Sequence, residues 1–195
     1  MGVNRIVLIA GPSGIGKSYF IDRLSQGDLE EFAEDLNIEE PAAWQHVFAK
    51  ELRENPAQVA ERIFFHYDLT GPWKHNIQNG FWGDRSLQVL DSAGATTVVT
   101  LFASPEVILR RYFKRQKETK GLFRFLFRLA RPAQEIKLYR EPAKLLTLYH
   151  EWYEFCQSRY LKDHWQVNTT DNPMGYERLT GDVLQATIGK IFAGH

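Results

Sequence analysis

The chain has 195 residues, 44% of them hydrophobic, and its 24 Lys and Arg balance 24 Asp and Glu to a formal net charge of +0. That length fits a single α/β domain over residues 1–195, able to bury a core without disulfides or a structural metal. Zero net charge argues against a protein whose main task is coating nucleic acid or anionic membrane. The lone cysteine, Cys156, excludes an intramolecular disulfide and a thiolate zinc cluster.

The apolar run from Ile6 to Ala10 is too short to cross a bilayer and lacks a small-residue cleavage pattern. A myristoylation signal also fails, and a cytoplasmic location is the expectation. Residues 5–10, RIVLIA, read as a strand buried on both faces of a parallel sheet. Residues 17–25 read as a helix. Segment 28–40 carries seven acids and no base, the pattern of an exposed helical surface. Pro41 opens a helix predicted to reach about Glu54, with Trp44, Val47, Phe48 and Leu52 on one face. Helices over 28–55 would thus flank an acceptor.

Residues 62–68, RIFFHYD, are aromatic and β-branched and form the second predicted strand. Residues 73–83 read as a loop and 84–93 as a helix, with a short strand over Leu87 to Asp91 as the alternative. The third strand is 96–103. Ser104, Pro105 and Glu106 then supply a cap, a preset first position and a dipole-matching acid for a helix to about Lys117. Pro142 opens a helix to about Lys162 with Leu145, Tyr149, Trp152, Cys156 and Tyr160 as its stripe. Residues 164–169 form a last strand and 175–192 a final helix. Alternation of strands and helices predicts a three-layer α/β sandwich with a parallel sheet, and four strands are clear.

Between the first strand and first helix, Gly11-Pro-Ser-Gly-Ile-Gly-Lys-Ser18 satisfies G-x-x-x-x-G-K followed by Ser or Thr. Glycines admit backbone conformations and close approaches that a Cβ blocks. The N–H groups so freed, closed by a helix N-terminus, surround phosphate oxygens with oriented dipoles. Lys17 would place its charge on the β- and γ-phosphates, and Ser18 would offer a hydroxyl to Mg2+. Gly11, Ser13, Gly14, Ile15, Gly16, Lys17, Ser18 and Tyr19 are the candidate nucleotide contacts.

A triphosphate site also calls for a carboxylate at a neighbouring strand end. Asp68 is the first candidate, as a metal ligand or as the acceptor of a hydroxyl proton; Asp91 is its rival. His66 shares Asp68's strand face and reads as a core histidine. Between Arg110 and Arg131 lie nine bases against one acid, Glu118. Segment 110–132 reads as a lid whose arginines, Arg111 and Arg115 four residues apart, close over transferring phosphate. A solvated basic helix, a membrane-surface helix over 121–132 and nucleic-acid contact are the competing readings.

GPSGIGKS after a strand resembles the P-loop kinases that phosphorylate nucleotides and small metabolites. VVTLFASPEVILRRYFKR (98–115) resembles their strand, Pro-Glu helix and arginine-bearing lid, and WQVNTTDNP (165–173) their last strand and base-side loop. The resemblance implies a P-loop NTPase fold, ATP and Mg2+ at Lys17 and Ser18, Asp68 as the strand-end acid, and Arg111 with Arg115 as lid arginines. The loop is of the guanylate-kinase kind, but no tyrosine-and-arginine guanylate-binding segment lies between the first two strands. The function expected is a phosphotransferase moving the γ-phosphate of ATP to a small-molecule or nucleotide acceptor. The alternative is a nucleotide-dependent switch or regulatory protein without an acceptor. Asn168-Thr-Thr-Asp171 lacks the lysine of a guanine-reading N-K-x-D, so GTP is the lesser expectation.

Overall fold

The structure is a computed structural model that describes residues 3–55, 59–118, 132–159, 163–170 and 174–179, without the side chains of 115–118 and 132–135. It holds one six-stranded sheet in the order β2-β3-β1-β4-β5-β6. The strands are β1 Arg5–Gly11, β2 Gln45–Phe48, β3 Arg62–Asp68, β4 Ala95–Phe102, β5 Asp163–Asn168 and β6 Gly175–Arg178. All pairings are parallel except β5 with β6. The fold is therefore α/β with a mostly parallel sheet.

Successive strand residues point to opposite faces, and from Ile6 to Ala10 every residue of β1 is fully buried. Both faces of the sheet are covered. On one, helix α8 (Pro142–Ser158) stacks Trp152 on Tyr67 of β3 and Tyr149 on Phe102 of β4. On the other, α1 (Lys17–Ser25) and α2 (Glu30–Asp35) bring Phe20 against Phe32, and Phe32 edge-on to Trp165 of β5. This is a helix–sheet–helix arrangement. The predicted stripe Leu145, Tyr149, Trp152 and Cys156 is buried; Tyr160 lies outside the described residues.

The helix expected over 41–54 is not one element. Pro41 opens only a three-residue 3-10 turn, which stops where Trp44 is extended at ψ 135. The chain then runs extended as β2, with Val47 buried and Phe48 exposed in strand alternation. Helix α3 (Ala49–Glu54) begins only afterwards, where the Glu51 carboxylate accepts the Phe48 N–H at 2.6 Å. One of the two strands beyond the four expected is therefore β2, whereas Leu87 to Asp91 forms helical turns opened by Asp84 accepting the Ser86 N–H.

The helix expected over 175–192 is corrected where it is described. Residues 175–178 form β6, which satisfies the edge of β5 and lays Arg178 over Trp165 and against Asp163. Residues 180–192 lie outside the described residues. The predicted loop 73–83 contains short helical turns at Gly71–Lys74 (α4) and Gly80–Gly83. A further short helix, α5 Val89–Ser92, precedes β4. Helix α6, Pro105–Glu118, and helix α7, Pro132–Arg140, flank segment 119–131, which lies outside the described residues together with most of the predicted lid. No helix among the described residues is long and apolar enough to cross a membrane.

Candidate functional site

The loop Gly11–Ser18 leaves the carboxyl end of β1, where β3 lies on one side and β4 on the other. In open α/β sheets that is the crevice where ligands bind. Two steric facts fix the glycines. A Cβ at Gly11 would meet Ile15 Cγ2 at 2.9 Å and the Leu101 carbonyl of β4 at 3.3 Å. Gly16, the residue that caps α1, stands at φ 109, a conformation other residues resist. Ile15 is fully buried and anchors the loop with its side chain rather than facing a ligand.

Lys17 is only 4% exposed. Its Nζ donates to the Gly11 carbonyl at 2.8 Å and the Pro12 carbonyl at 2.9 Å, so the ammonium crosses the mouth of the loop. Ser18 and Tyr19 follow on the exposed first turn of α1. Ser13, Gly14 and Gly16 through Tyr19 line an open cleft of about 260 Å³ with His66, Asp68 and Arg111.

Asp68 reaches the cleft because β1 and β3 run in register with Gly11 opposite it. Its carboxylate accepts from Lys74 Nζ at 2.6 Å and Ser13 Oγ at 3.1 Å, and from the Thr70 N–H and hydroxyl at 3.0 and 2.8 Å. Burial works to raise its pKa, but the Lys17 and Lys74 charges and these hydrogen bonds prevail and hold it well below the usual carboxylate range. Asp68 is therefore ionised and a weak proton acceptor. The rival acid, Asp91, lies on the short helix Val89–Ser92, exposed and paired with Arg159, away from the cleft lining.

His66 is not a core histidine. It is half-buried on the cleft wall, its Nδ1 at 3.5 Å from Ser18 Oγ and 3.3 Å from His46 Nε2. The two imidazoles stack on each other, His46 stacks on Phe48, and Phe48 lies tilted against His66 across the paired strands β2 and β3. Burial lowers the His46 pKa, against the opposing pull of Asp22 and Glu51.

Arg111 lies beneath the loop. It donates to the Ile15 carbonyl at 3.0 Å, to Thr169 Oγ1 at 2.9 Å and to the Thr169 carbonyl. The side chain of Arg115 lies outside those described.

Sequence reasoning missed Lys74, Thr169 and Tyr139. Lys74 lies six residues beyond Asp68 on a helical turn begun by Gly71-Pro72, and that nearby Gly-Pro turn was the available signal. Thr169 falls in the expected last strand, the base-side loop and the failed guanine-reading comparison, none of which assigns it a contact with Arg111. Tyr139 donates to the Ser13 carbonyl at 2.8 Å from 126 residues away, with no local signal.

The donor set is hard: a serine hydroxyl and a carboxylate. Among the described residues no group of three or more His, Cys, Asp or Glu could hold a metal ion. That chemistry fits Mg2+, which takes few protein oxygens and completes its shell with phosphate and water. No protein-family model matches the chain, and no curated protein matches it significantly.

Proposed function

We propose that the chain is a P-loop NTPase of the kinase type, which binds ATP with Mg2+ at Gly11–Ser18 and moves its γ-phosphate to a small-molecule or nucleotide acceptor. The observation that carries this reading is the convergence of Lys17, Ser18 and Asp68 on one cleft where a glycine loop joins β1 to α1. Lys17 would leave the carbonyls it now bridges and set its charge against the β- and γ-phosphates. Mg2+, held by Ser18 and through Asp68, would neutralise charge on those oxygens. With its low pKa, Asp68 serves as an ion-holding and positioning group rather than as the base. The acceptor would sit toward Lys74, His66, His46 and Phe48, on the β2–β3 side.

A nucleotide-dependent switch is the second reading. Arg111 favours it, because its hydrogen bonds to Ile15 and Thr169 engage a guanidinium that a transferase would direct at phosphate.

Calorimetry with Mg-ATP and Mg-GTP tests the site. The wild-type chain should release heat with Mg-ATP, and Lys17→Ala should weaken binding at least 10-fold; equal affinity in the variant would overturn the reading. ADP formation that depends on a member of a metabolite library marks a kinase, whereas slow hydrolysis indifferent to every member marks a switch.

A further inference from the structure

Two carbonyls of the glycine loop are held by side chains of later helices, one of which, Arg111, also borders the cleft. Tyr139 of α7, 1% exposed, donates its hydroxyl to the Ser13 carbonyl at 2.8 Å. Arg111 of α6 donates to the Ile15 carbonyl at 3.0 Å and is itself held by Thr169, whose hydroxyl donates to the Phe102 carbonyl at 2.8 Å. The residue after each held carbonyl is a glycine at positive φ, Gly14 at 85 and Gly16 at 109. Both line the cleft.

A trans peptide fixes its C=O and N–H in opposite directions. Holding the Ser13 carbonyl toward Tyr139 therefore aims the Gly14 N–H the other way, and holding the Ile15 carbonyl toward Arg111 does the same for Gly16. Glycine makes this hold necessary as well as possible. With no Cβ, a peptide plane beside it can rotate at little cost, and a rotated plane would present a carbonyl dipole to an anion where an N–H belongs.

We propose that Tyr139 and Arg111 are positioning residues that lock the 13–14 and 15–16 peptide planes with their N–H groups toward the cleft. They thereby preset a cradle for a polyphosphate anion. The inference rests on the nucleotide-binding reading and deepens it, since it assigns the phosphate grip to two helices far along the chain.

The two clamps act on different amides, which makes them separable from any general loss of structure. In titrations with inorganic tripolyphosphate, followed by amide NMR, the Gly14 and Gly16 protons of the wild-type chain should both move downfield. Tyr139→Phe keeps the ring and removes the donor. It should bind tripolyphosphate and Mg-ATP at least 10-fold more weakly and lose the Gly14 shift while Gly16 still moves. Arg111→Lys keeps the charge but cannot span Ile15 and Thr169, and should lose the Gly16 shift while Gly14 still moves.

Thermal melts without ligand establish that each variant is folded, and either variant alone suffices. Wild-type affinity and a wild-type Gly14 shift in Tyr139→Phe would overturn the clamp alone. A wild-type chain that takes up neither tripolyphosphate nor Mg-ATP would overturn the nucleotide reading, and the clamp with it.

Discussion

Asp68 stands between two lysines, and its chemistry follows from that. Lys74 donates to it at 2.6 Å, Lys17 adds charge from within the loop, and Thr70 and Ser13 also donate to it. Asp68→Asn removes the negative charge while keeping the shape. It also offers an amide N–H where Lys74 or Ser13 already donates. ATP binding should survive in this variant, because the loop amides and Lys17 remain. Acceptor-dependent ADP formation should fall by about 10²-fold or more, as read by a coupled ADP assay across a metabolite library. Unchanged turnover would remove Asp68 from the reaction. Because its folded pKa lies below the ordinary range, turnover should also show no inflection near pH 4 from this group.

At the scale of elements, the end of β1 is wedged between its own loop and β4. The Gly11→Ala Cβ would lie 2.9 Å from Ile15 Cγ2 and 3.3 Å from the Leu101 carbonyl. Ile15 is fully buried and Leu101 is backbone of a central strand, so neither yields cheaply. Overpacking of this kind costs about 1–3 kcal/mol. The melting temperature should therefore drop by roughly 2–12 °C, and nucleotide affinity should fall with it. A melt unchanged from wild type would show that the loop end is looser than its packing.

The same elements show what could be read from the sequence. β1, β3 and β4 were legible because each is a long apolar run, and α1, α6 and α8 because glycine or proline marks their starts. β2 and β6 were not, since each has only four residues. Over so short a stretch alternation has too few repeats to stand out: Val47 is buried under either reading, and only Phe48, exposed in β2, separates strand from helix. The site divides in the same way. The loop residues and Asp68 are encoded locally, by glycine spacing and a strand end. Lys74, Thr169 and Tyr139 enter through tertiary contacts, and Arg111, visible as a base, took its place under the loop only from the packing of α6.

Across the whole molecule, the loss of stability between pH 7 and pH 5 should originate outside the cleft lining. His164 of β5 is 4% exposed beneath α8, with Nε2 at 2.8 Å from Thr100 Oγ1 and its ring 4.9 Å from that of Tyr153. Trp152 donates to the same Thr100 hydroxyl, so this polar cluster joins α8 to β4 and β5. Burial pushes the His164 pKa down to about 3 from 6.5. Between those values the unfolded chain holds the proton and the folded chain does not. Stability therefore rises with pH across that window and is lost as pH falls below 6.5.

From pH 7 to pH 5 this one group should cost the wild-type chain about 2 kcal/mol. Denaturant melts at the two pH values measure it. His164→Gln starts less stable but removes the titrating ring, so the difference between its two melts should shrink by that amount. An equal pH dependence in wild type and variant would mean that acid acts elsewhere, with His46, also lowered by burial, the next group to replace.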